Sequence, residues 1–193
     1  AIYEAETKFR VLNEIFSVQN ERNPIESIKT RLKSPESIAE KLLRRGLPVT
    51  PETIERELHD VAGIRVICSF LDDIYMLADC ITGQDDVTLI QTKDYIKNPK
   101  ENGYRSLHLI IEIPIFLYGE TRNMKVEIQL RTITMESWAD LEHKLRYKKN
   151  LSGDTQAQIA RQLADCAELC NVLDRKMLEV KSKVNGAALP ADA

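Results

Sequence analysis

Apolar positions recur along this chain with two different periods, and the changes of period mark its elements. Ile2, Ala5, Phe9, Leu12 and Phe16 form one stripe at helical spacing. Residues 1–32 are therefore expected to be helical, with Pro24 breaking or restarting the helix. Ser34-Pro35-Glu36 supplies a capping hydroxyl, a proline in the first turn and an acid at the positive end. That helix is expected to run to Arg45 and stop at Gly46. Thr50-Pro51-Glu52 repeats the start signal, with a short helix to about Leu58. Ala62 to Phe70 is strand-like, Asp72 can cap a helix through Ile81, and Val87 to Gln91 reads as a short strand. A strongly apolar strand follows from Leu109 to Phe116, and residues 117–123 are expected to turn the chain into the next strand at Met124. Thr132 opens a helix carrying Met135, Trp138, Leu141 and Leu145, with a basic end at Lys144, Arg146, Lys148 and Lys149. Ser152-Gly153-Asp154 is a break. The last helix carries Ile159, Leu163, Cys166, Cys170, Leu173, Met177, Val180 and Val184 at alternating +4 and +3 spacing, a heptad seam. That seam can pack on the first helix, on its own core or on another subunit. The tail from Asn185 is expected to fray.

The stretch Val126-Glu127-Ile128-Gln129-Leu130-Arg131 has the strict period two of a strand with one apolar and one polar face. Its polar face carries a carboxylate, an amide and a guanidinium in a row. An outer, solvated strand face has the same pattern, so the rest of the chain must decide. The elements together give an α+β fold, a mixed β-sheet of about five strands flanked by helices. No linker is long enough to separate two domains, so residues 1–193 are expected to form one domain.

Composition narrows the field. The 193 residues are 43% hydrophobic and 30% charged, as in a soluble globular domain. No apolar run approaches the roughly 20 residues of a membrane helix, and no charged-then-apolar leader opens the chain. The lack of an initial Met is what a trimmed chain would show. Cys68, Cys80, Cys166 and Cys170 form no CxxC pair, and only His59, His108 and His143 could join them in a zinc site. A reducing cytoplasm is the default location. The net charge of −3 excludes a generic nucleic-acid binder, so an anion site must come from local clustering.

Such a cluster exists. Between Lys29 and Arg45 stand six basic residues (Lys29, Arg31, Lys33, Lys41, Arg44, Arg45) and two acidic ones. A solvated basic face would account for it. So would a polyphosphate clamp, because Arg31 and Lys33 precede a helix N-terminus whose free N–H groups favour phosphate. Arg65 interrupts an apolar strand, where a charge needs a partner or a pocket. Lys93, Lys97 and Lys100 lead into a turn-rich loop, Asn98 to Gly103, followed by Tyr104. Asp60 and Glu127 lie 67 residues apart, yet in a mixed sheet they can sit on neighbouring strands. Two carboxylates fit magnesium, which completes its shell with phosphate oxygens and water. Tyr104 offers a flat ring for a base. His59-Asp60 is superficially similar to the pair in metal phosphohydrolases, but three scattered histidines supply the further ligands poorly. The combination points to nucleotide chemistry at phosphorus.

Four motifs now fall in order. Arg31-x-Lys33, His59-Asp60-Val61-Ala62-Gly63-Ile64-Arg65, Asn102-Gly103-Tyr104-Arg105-Ser106-Leu107-His108 and Glu127-Ile128-Gln129-Leu130-Arg131-Thr132 resemble the synthetase domain of the RelA/SpoT family. The resemblance covers about residues 25–150, leaving helices 1–24 and 154–184 for packing and oligomerisation. It is most similar to the small alarmone synthetases of the RelQ/RelP type; the hydrolase and regulatory domains of the long members are not expected. The resemblance implies a nucleotidyltransferase-like sheet and a reaction in which ATP donates its β,γ-pyrophosphate to the 3′-OH of GDP or GTP, giving AMP and (p)ppGpp. It implies Mg2+ held by Asp60 and Glu127, with Glu127 also the general base. Arg31, Lys33 and Lys41 match the ATP side, with Arg44, Arg45 and Arg65 beside them. Tyr104 matches the residue that stacks on guanine, and Gln129 and His108 line the acceptor side. Lys93, Lys100 and Arg105 are phosphate contacts by proximity to the motif. The resemblance further implies a homotetramer built through the terminal helices, and leaves room for single-stranded RNA or (p)ppGpp as regulators.

Two positions depart from the family pattern. Glu101 stands where relatives often have Pro, and Glu136 where they carry Asn or Asp. As a carboxylate, Glu136 can accept from the N–H groups of guanine, which bears on the choice among GDP, GTP and GMP. Three other classes compete with the enzyme: a guanine-nucleotide binding module without turnover, a single-stranded RNA binder, and a helical scaffold built on the C-terminal seam. Intact Asp60 and Glu127 argue against the first. The cations cluster where a nucleotide pocket needs them, which argues against the second.

Overall fold

The computed structural model describes residues 1–20, 22–146 and 153–187. In chain order these form α1 (Ile2–Asn20), β1 (Ile25–Leu32), α2 (Pro35–Arg44), α3 (Pro51–Glu57), β2 (Ala62–Cys68), α4 (Leu71–Thr82), β3 (Thr88–Asp94), β4 (Leu107–Leu117), β5 (Glu120–Thr132), α5 (Ile133–Arg146) and α6 (Gly153–Ala187). The strands make one five-stranded sheet in the order β1-β2-β5-β4-β3. Only β2 and β5 run parallel; the other neighbours are antiparallel. The α+β expectation and the strand number match this sheet.

Alternation sorts each central strand into two faces. Ile64 and Val66 of β2, Val126, Ile128 and Leu130 of β5, and Leu109 and Ile111 of β4 point to one side and are almost fully buried. They pack on Ala5 and Phe9 of α1 and on Ile74, Leu77 and Ile81 of α4 in one continuous core. Each fully buried aliphatic of this kind contributes about 1.5–3 kcal/mol. With both helices on that side, the polar side chains of the same strands are left on the other.

The helix starts at Ser34 and Thr50 form as expected. Ser34 Oγ accepts from the Ser37 N–H and Thr50 Oγ1 from the Thr53 N–H, with Pro35 and Pro51 in the first turn. Gly46, just past α2, takes φ +69, the left-handed conformation that closes a helix. Thr132 Oγ1 accepts from the Met135 N–H and opens α5. Three expectations need correction. Residues 25–32 are a strand, not the end of a helix: β1 is an edge strand with only Ile25 buried, so it has no apolar alternation to read. Helix α4 is not capped by Asp72. Asp73 accepts from the Phe70 N–H at 3.1 Å, and also holds Arg22 at 2.6 Å and Lys181 at 3.3 Å. Strand β5 starts at Glu120, because Leu117 pairs with Glu120 across a two-residue turn whose Gly119 has φ +84.

Helix α6 packs on α5 and α4 through a face offset from the heptad seam. Ala167, Asn171 and Asp174 are buried, and Lys181 reaches Asp72 at 2.6 Å. Ile159, Leu163 and Cys170 are half-buried, while Cys166, Leu173, Met177, Val180 and Val184 are exposed. Lys148, Lys149 and the break at Ser152 lie outside the described residues, as does the end of the tail. Among the described residues, no helix is long and apolar enough to cross a membrane.

Asp174 accepts from Thr132 Oγ1 at 2.7 Å and from Thr134 Oγ1 at 2.6 Å. Burial pushes its carboxyl above the usual range, and the two hydroxyl donors only partly offset that. A raised folded pKa adds stability that is fully present below the unfolded value of about 3.9 and is lost as pH rises through the folded value. Asp174→Asn, which keeps an acceptor without the charge, should therefore gain in melting temperature relative to the parent on going from pH 4 to pH 7. Thermal melts at both pH values check this; a difference that is flat or falls with pH contradicts it.

Candidate active site on the open sheet face

Strand register assembles the polar face row by row. Lys29 of β1 pairs with Arg65 of β2, Arg65 with Gln129 of β5, Gln129 with His108 of β4, and His108 with Lys93 of β3. Five polar side chains thus cross the whole sheet in one line. One row along, Arg31 pairs with Gly63 and Gly63 with Glu127. Gly63 has no side chain to fill the space between the Arg31 cation and the Glu127 carboxylate. Arg131 extends the same face of β5 toward α5.

Asp60 lies just before β2. The Lys33 N–H donates to the Val61 carbonyl at 2.9 Å, which continues the β1–β2 ladder and sets Lys33 beside Asp60. Asp60 Oδ2 accepts from Lys33 Nζ and, at 2.6 Å, from Lys41 Nζ of α2. Burial alone would raise the Asp60 carboxyl; the two lysines outweigh it and hold it below the usual carboxylate range. Asp60 Oδ1 is buried with no hydrogen-bond partner. A buried carboxylate oxygen left in that state fits a cation ligand. Glu127 is close enough for the Asp60 charge to push its carboxyl upward, yet His108 and Gln129 hold it below the usual range against both burial and that repulsion. Among the described residues no three acidic, histidine or cysteine side chains gather into a ready-made metal cage. Two hard oxygen donors, one of them unmet, suit magnesium, which is ordinarily held by one or two carboxylates and completed by substrate phosphates.

A hydrogen-bonded chain runs from Glu127 across the acceptor side. Arg131 can only donate, and its Nη2 reaches Tyr104 Oη at 2.6 Å. The tyrosine proton is then free for His108 Nε2 at 2.8 Å, and His108 Nδ1–H donates to Glu127 Oε1 at 3.2 Å. Gln129 Nε2 donates to the other oxygen, Glu127 Oε2, at 3.1 Å, while its own carbonyl oxygen accepts from Arg131. The chain fixes the histidine tautomer, the tyrosine rotor and both carboxylate oxygens. Tyr95 packs edge-on against Tyr104, and Lys100 Nζ lies 4.7 Å from the centre of each ring.

The other residues named from sequence divide. Arg31, Arg44 and Lys93 are exposed, Arg31 and Lys93 in the rows described and Arg44 at the end of α2. Arg45 turns away and donates to the Glu57 carbonyl at 3.2 Å, joining α2 to α3. Arg105 also turns away, to the Ile96 carbonyl and to Glu168 of α6. Proximity in sequence to Tyr104 does not set side-chain direction on an extended segment, and here Arg105 is engaged within the protein. Glu136 is engaged within the protein as well. Oε1 accepts from Lys29 at 2.8 Å and Arg65 at 3.0 Å, and Oε2 from Arg131 at 2.8 Å, so it joins three cations. Burial would raise its carboxyl, but these cations hold it low. Tyr95 was missed, and Lys29 and Arg131 were named only in the basic run and on the polar strand face, without a role. The alternation with Glu127 and Gln129 puts Arg131 on the open face, whereas the place of Lys29 was hidden by reading β1 as helix.

A family model described as a region found in RelA / SpoT proteins matches residues 30–152. The chain is 44% identical to the GTP pyrophosphokinase YwaC of Bacillus subtilis (strain 168), over 93% of this chain and 85% of that protein. It is 34% identical to the GTP pyrophosphokinase YjbM of the same organism, over 97% and 86%. The structure of B. subtilis small alarmone synthetase 2 superposes with a TM-score of 0.83 at 43% identity, covering 95% of this chain and 94% of that one. Small alarmone synthetase 1 of B. subtilis, bound to its product pppGpp, gives 0.84 at 32% identity, covering 95% and 92%.

Removing the carboxylate shared by three cations has a definite expected cost. Arg131 is only 5% exposed in its side chain and cannot turn to water, so Glu136→Ala should cost about 3 kcal/mol. Lys29→Ala, at a side chain 52% exposed, should cost less than about 1 kcal/mol. Urea unfolding of both variants checks the difference; equal losses would contradict it.

Proposed function

The chain belongs to the RelA/SpoT family, and from that premise we infer that it is a GTP pyrophosphokinase of the small alarmone synthetase type. It transfers the β,γ-pyrophosphate of ATP to the 3′-OH of GDP or GTP, giving AMP and (p)ppGpp. The observation that carries the reading is the pair of acids on one open sheet face, Asp60 with an unmet buried oxygen and Glu127 across from Gly63, with Lys33 and Lys41 held over the first.

On this reading Asp60 and Glu127 hold a magnesium ion. Bound there, it supplies charge neutralisation for the triphosphate. Lys33, Lys41 and Arg31 hold the phosphates of ATP from the β1–α2 side, and Arg65, fixed by Glu136, lies along the adenosine side. The acceptor enters over Tyr104. Lys100 is exposed and swings off the ring for guanine to stack, whereas Arg131 is buried and stays as the ring's support. Glu127 takes the proton of the 3′-OH as the new O3′–Pβ bond forms and the bond from Pβ to the α,β-bridging oxygen breaks, that oxygen leaving on AMP. His108 and Gln129 aim its two oxygens. Catalysis is then mostly positioning and charge neutralisation. The ligand role of Glu127 stands ahead of its base role, because a neighbouring cation lowers carboxylate basicity.

The exposed apolar residues of α6 (Leu173, Met177, Val180, Val184) and of α1 (Tyr3, Val11, Val18) support assembly through the terminal helices, and a homotetramer is the proposed state. A cytoplasmic location belongs to the same reading.

Incubation with ATP, Mg2+ and GDP or GTP, resolved by anion exchange, should yield AMP one-for-one with a more highly phosphorylated guanosine nucleotide. Glu127→Gln should keep the fold and lower turnover at least about 100-fold. Near-normal turnover in that variant would remove both roles from Glu127.

A further inference from the structure

We infer that α6 positions the guanine-binding loop: Ala167 and Glu168 hold the Gly103-Tyr104-Arg105 segment in its acceptor-binding conformation. The inference rests on the assignment of Tyr104 to the guanine base and adds the element that aims it.

The loop between β3 and β4 meets α6 through its backbone. A Cβ added at Gly103 would lie 2.5 Å from Ala167 Cβ and 3.4 Å from Ala164 Cα. Gly103 also has φ +87, so both its conformation and its seat demand glycine. Ala164 and Ala167, three residues apart on one helix face, provide a flat seat for that backbone. On the other side of Tyr104, Arg105 donates to Glu168 Oε2 at 2.7 Å and to the Ile96 carbonyl at 3.2 Å. The guanidinium thus closes the loop on itself and ties it to the helix. The second oxygen of Glu168 accepts from Asn171 Nδ2 at 3.0 Å, which pre-orients the carboxylate. Asn102 Oδ1 accepts from the Tyr104 N–H at 3.2 Å and completes the turn.

Tyr104 is therefore flanked on both sides by residues anchored to α6. Its hydroxyl is set from the sheet by Arg131 and His108, and its backbone from the helix. A loop fixed only at the hydroxyl would order its backbone anew for each acceptor. That entropy would be charged against guanine-nucleotide binding and not against ATP. Glu168 is 59% exposed in its side chain and bonds to Arg105 and Asn171, not to Asp60 or Glu127, so altering it perturbs the anchor.

Steady-state kinetics with ATP and GDP varied separately test this in the full chain. Glu168→Lys should raise the KM for GDP roughly three- to fivefold, the scale of one partly exposed ion pair, with kcat within about twofold and the KM for ATP unchanged. The exchange Arg105→Glu with Glu168→Arg re-forms the ion pair but not the bonds to the Ile96 carbonyl and Asn171, so it should recover part of the rise in the GDP KM. Glu179→Lys, the same charge reversal at an exposed position of α6, should change nothing. A GDP KM unmoved in Glu168→Lys, a parallel rise in both KM values, or no rescue by the exchange would overturn the inference. The unaltered protein run alongside separates the two claims. Absence of product there would sink the assignment of the reaction, whereas product with an unmoved GDP KM sinks the anchor alone.

Discussion

The site depends on the parallel pairing of β2 with β5. That single pairing sets Gly63 opposite Glu127 and Arg65 opposite Gln129, although the two strands are far apart in sequence. A parallel neighbour requires a crossover, and here α4, β3 and β4 supply it. Because the apolar residues of both strands face α1 and α4, a slip of one residue would bury Glu127 and expose Ile128. The core therefore enforces the register on which the site's chemistry rests, and Asp60 inherits its place from the start of β2.

Charge balance is the second constraint. The chain is slightly acidic overall, yet its open sheet face gathers Lys29, Arg31, Arg65, Arg131 and Lys93 with Lys33 and Lys41 at its edge. Such a concentration self-repels unless counter-ions are interleaved. Glu136 neutralises the cluster at the α5 end and Asp60 the one at the β1–α2 end, each at hydrogen-bond distance. The two carboxylates differ in what they leave over. Both oxygens of Glu136 are engaged, which makes it a support. Asp60 keeps one oxygen unmet, which is the observation behind its proposed role as a ligand.

Local patterns made much of this legible. Strict alternation marked β5 and its polar face, the Ser34-Pro35 and Thr50-Pro51 starts formed as read, and the order of four motifs carried the family. What escaped has a common cause. Strand β1 lies at a sheet edge with a single buried side chain, so its period of two was invisible and Lys29 went unplaced. Arg105 and Glu136 sit inside or beside the motifs, but their partners are 63 and up to 107 residues away, beyond any local pattern. The heptad seam of α6 marked the face left exposed. The docking face was hidden because it uses Ala167, Asn171 and Asp174, which carry little or no apolar signal.

On the proposed reading, Asp60 and Glu127 together form the magnesium-dependent part of the nucleotide site. Calorimetry with a non-transferable ATP analogue, with and without millimolar Mg2+, tests it without relying on turnover. The parent should bind roughly tenfold or more tightly when Mg2+ is added. The double variant Asp60→Asn, Glu127→Gln should lose that tightening while its Mg2+-free binding is retained or improved, since two negative charges have left the phosphate site. The same Mg2+-dependent gain in the double variant would contradict the account.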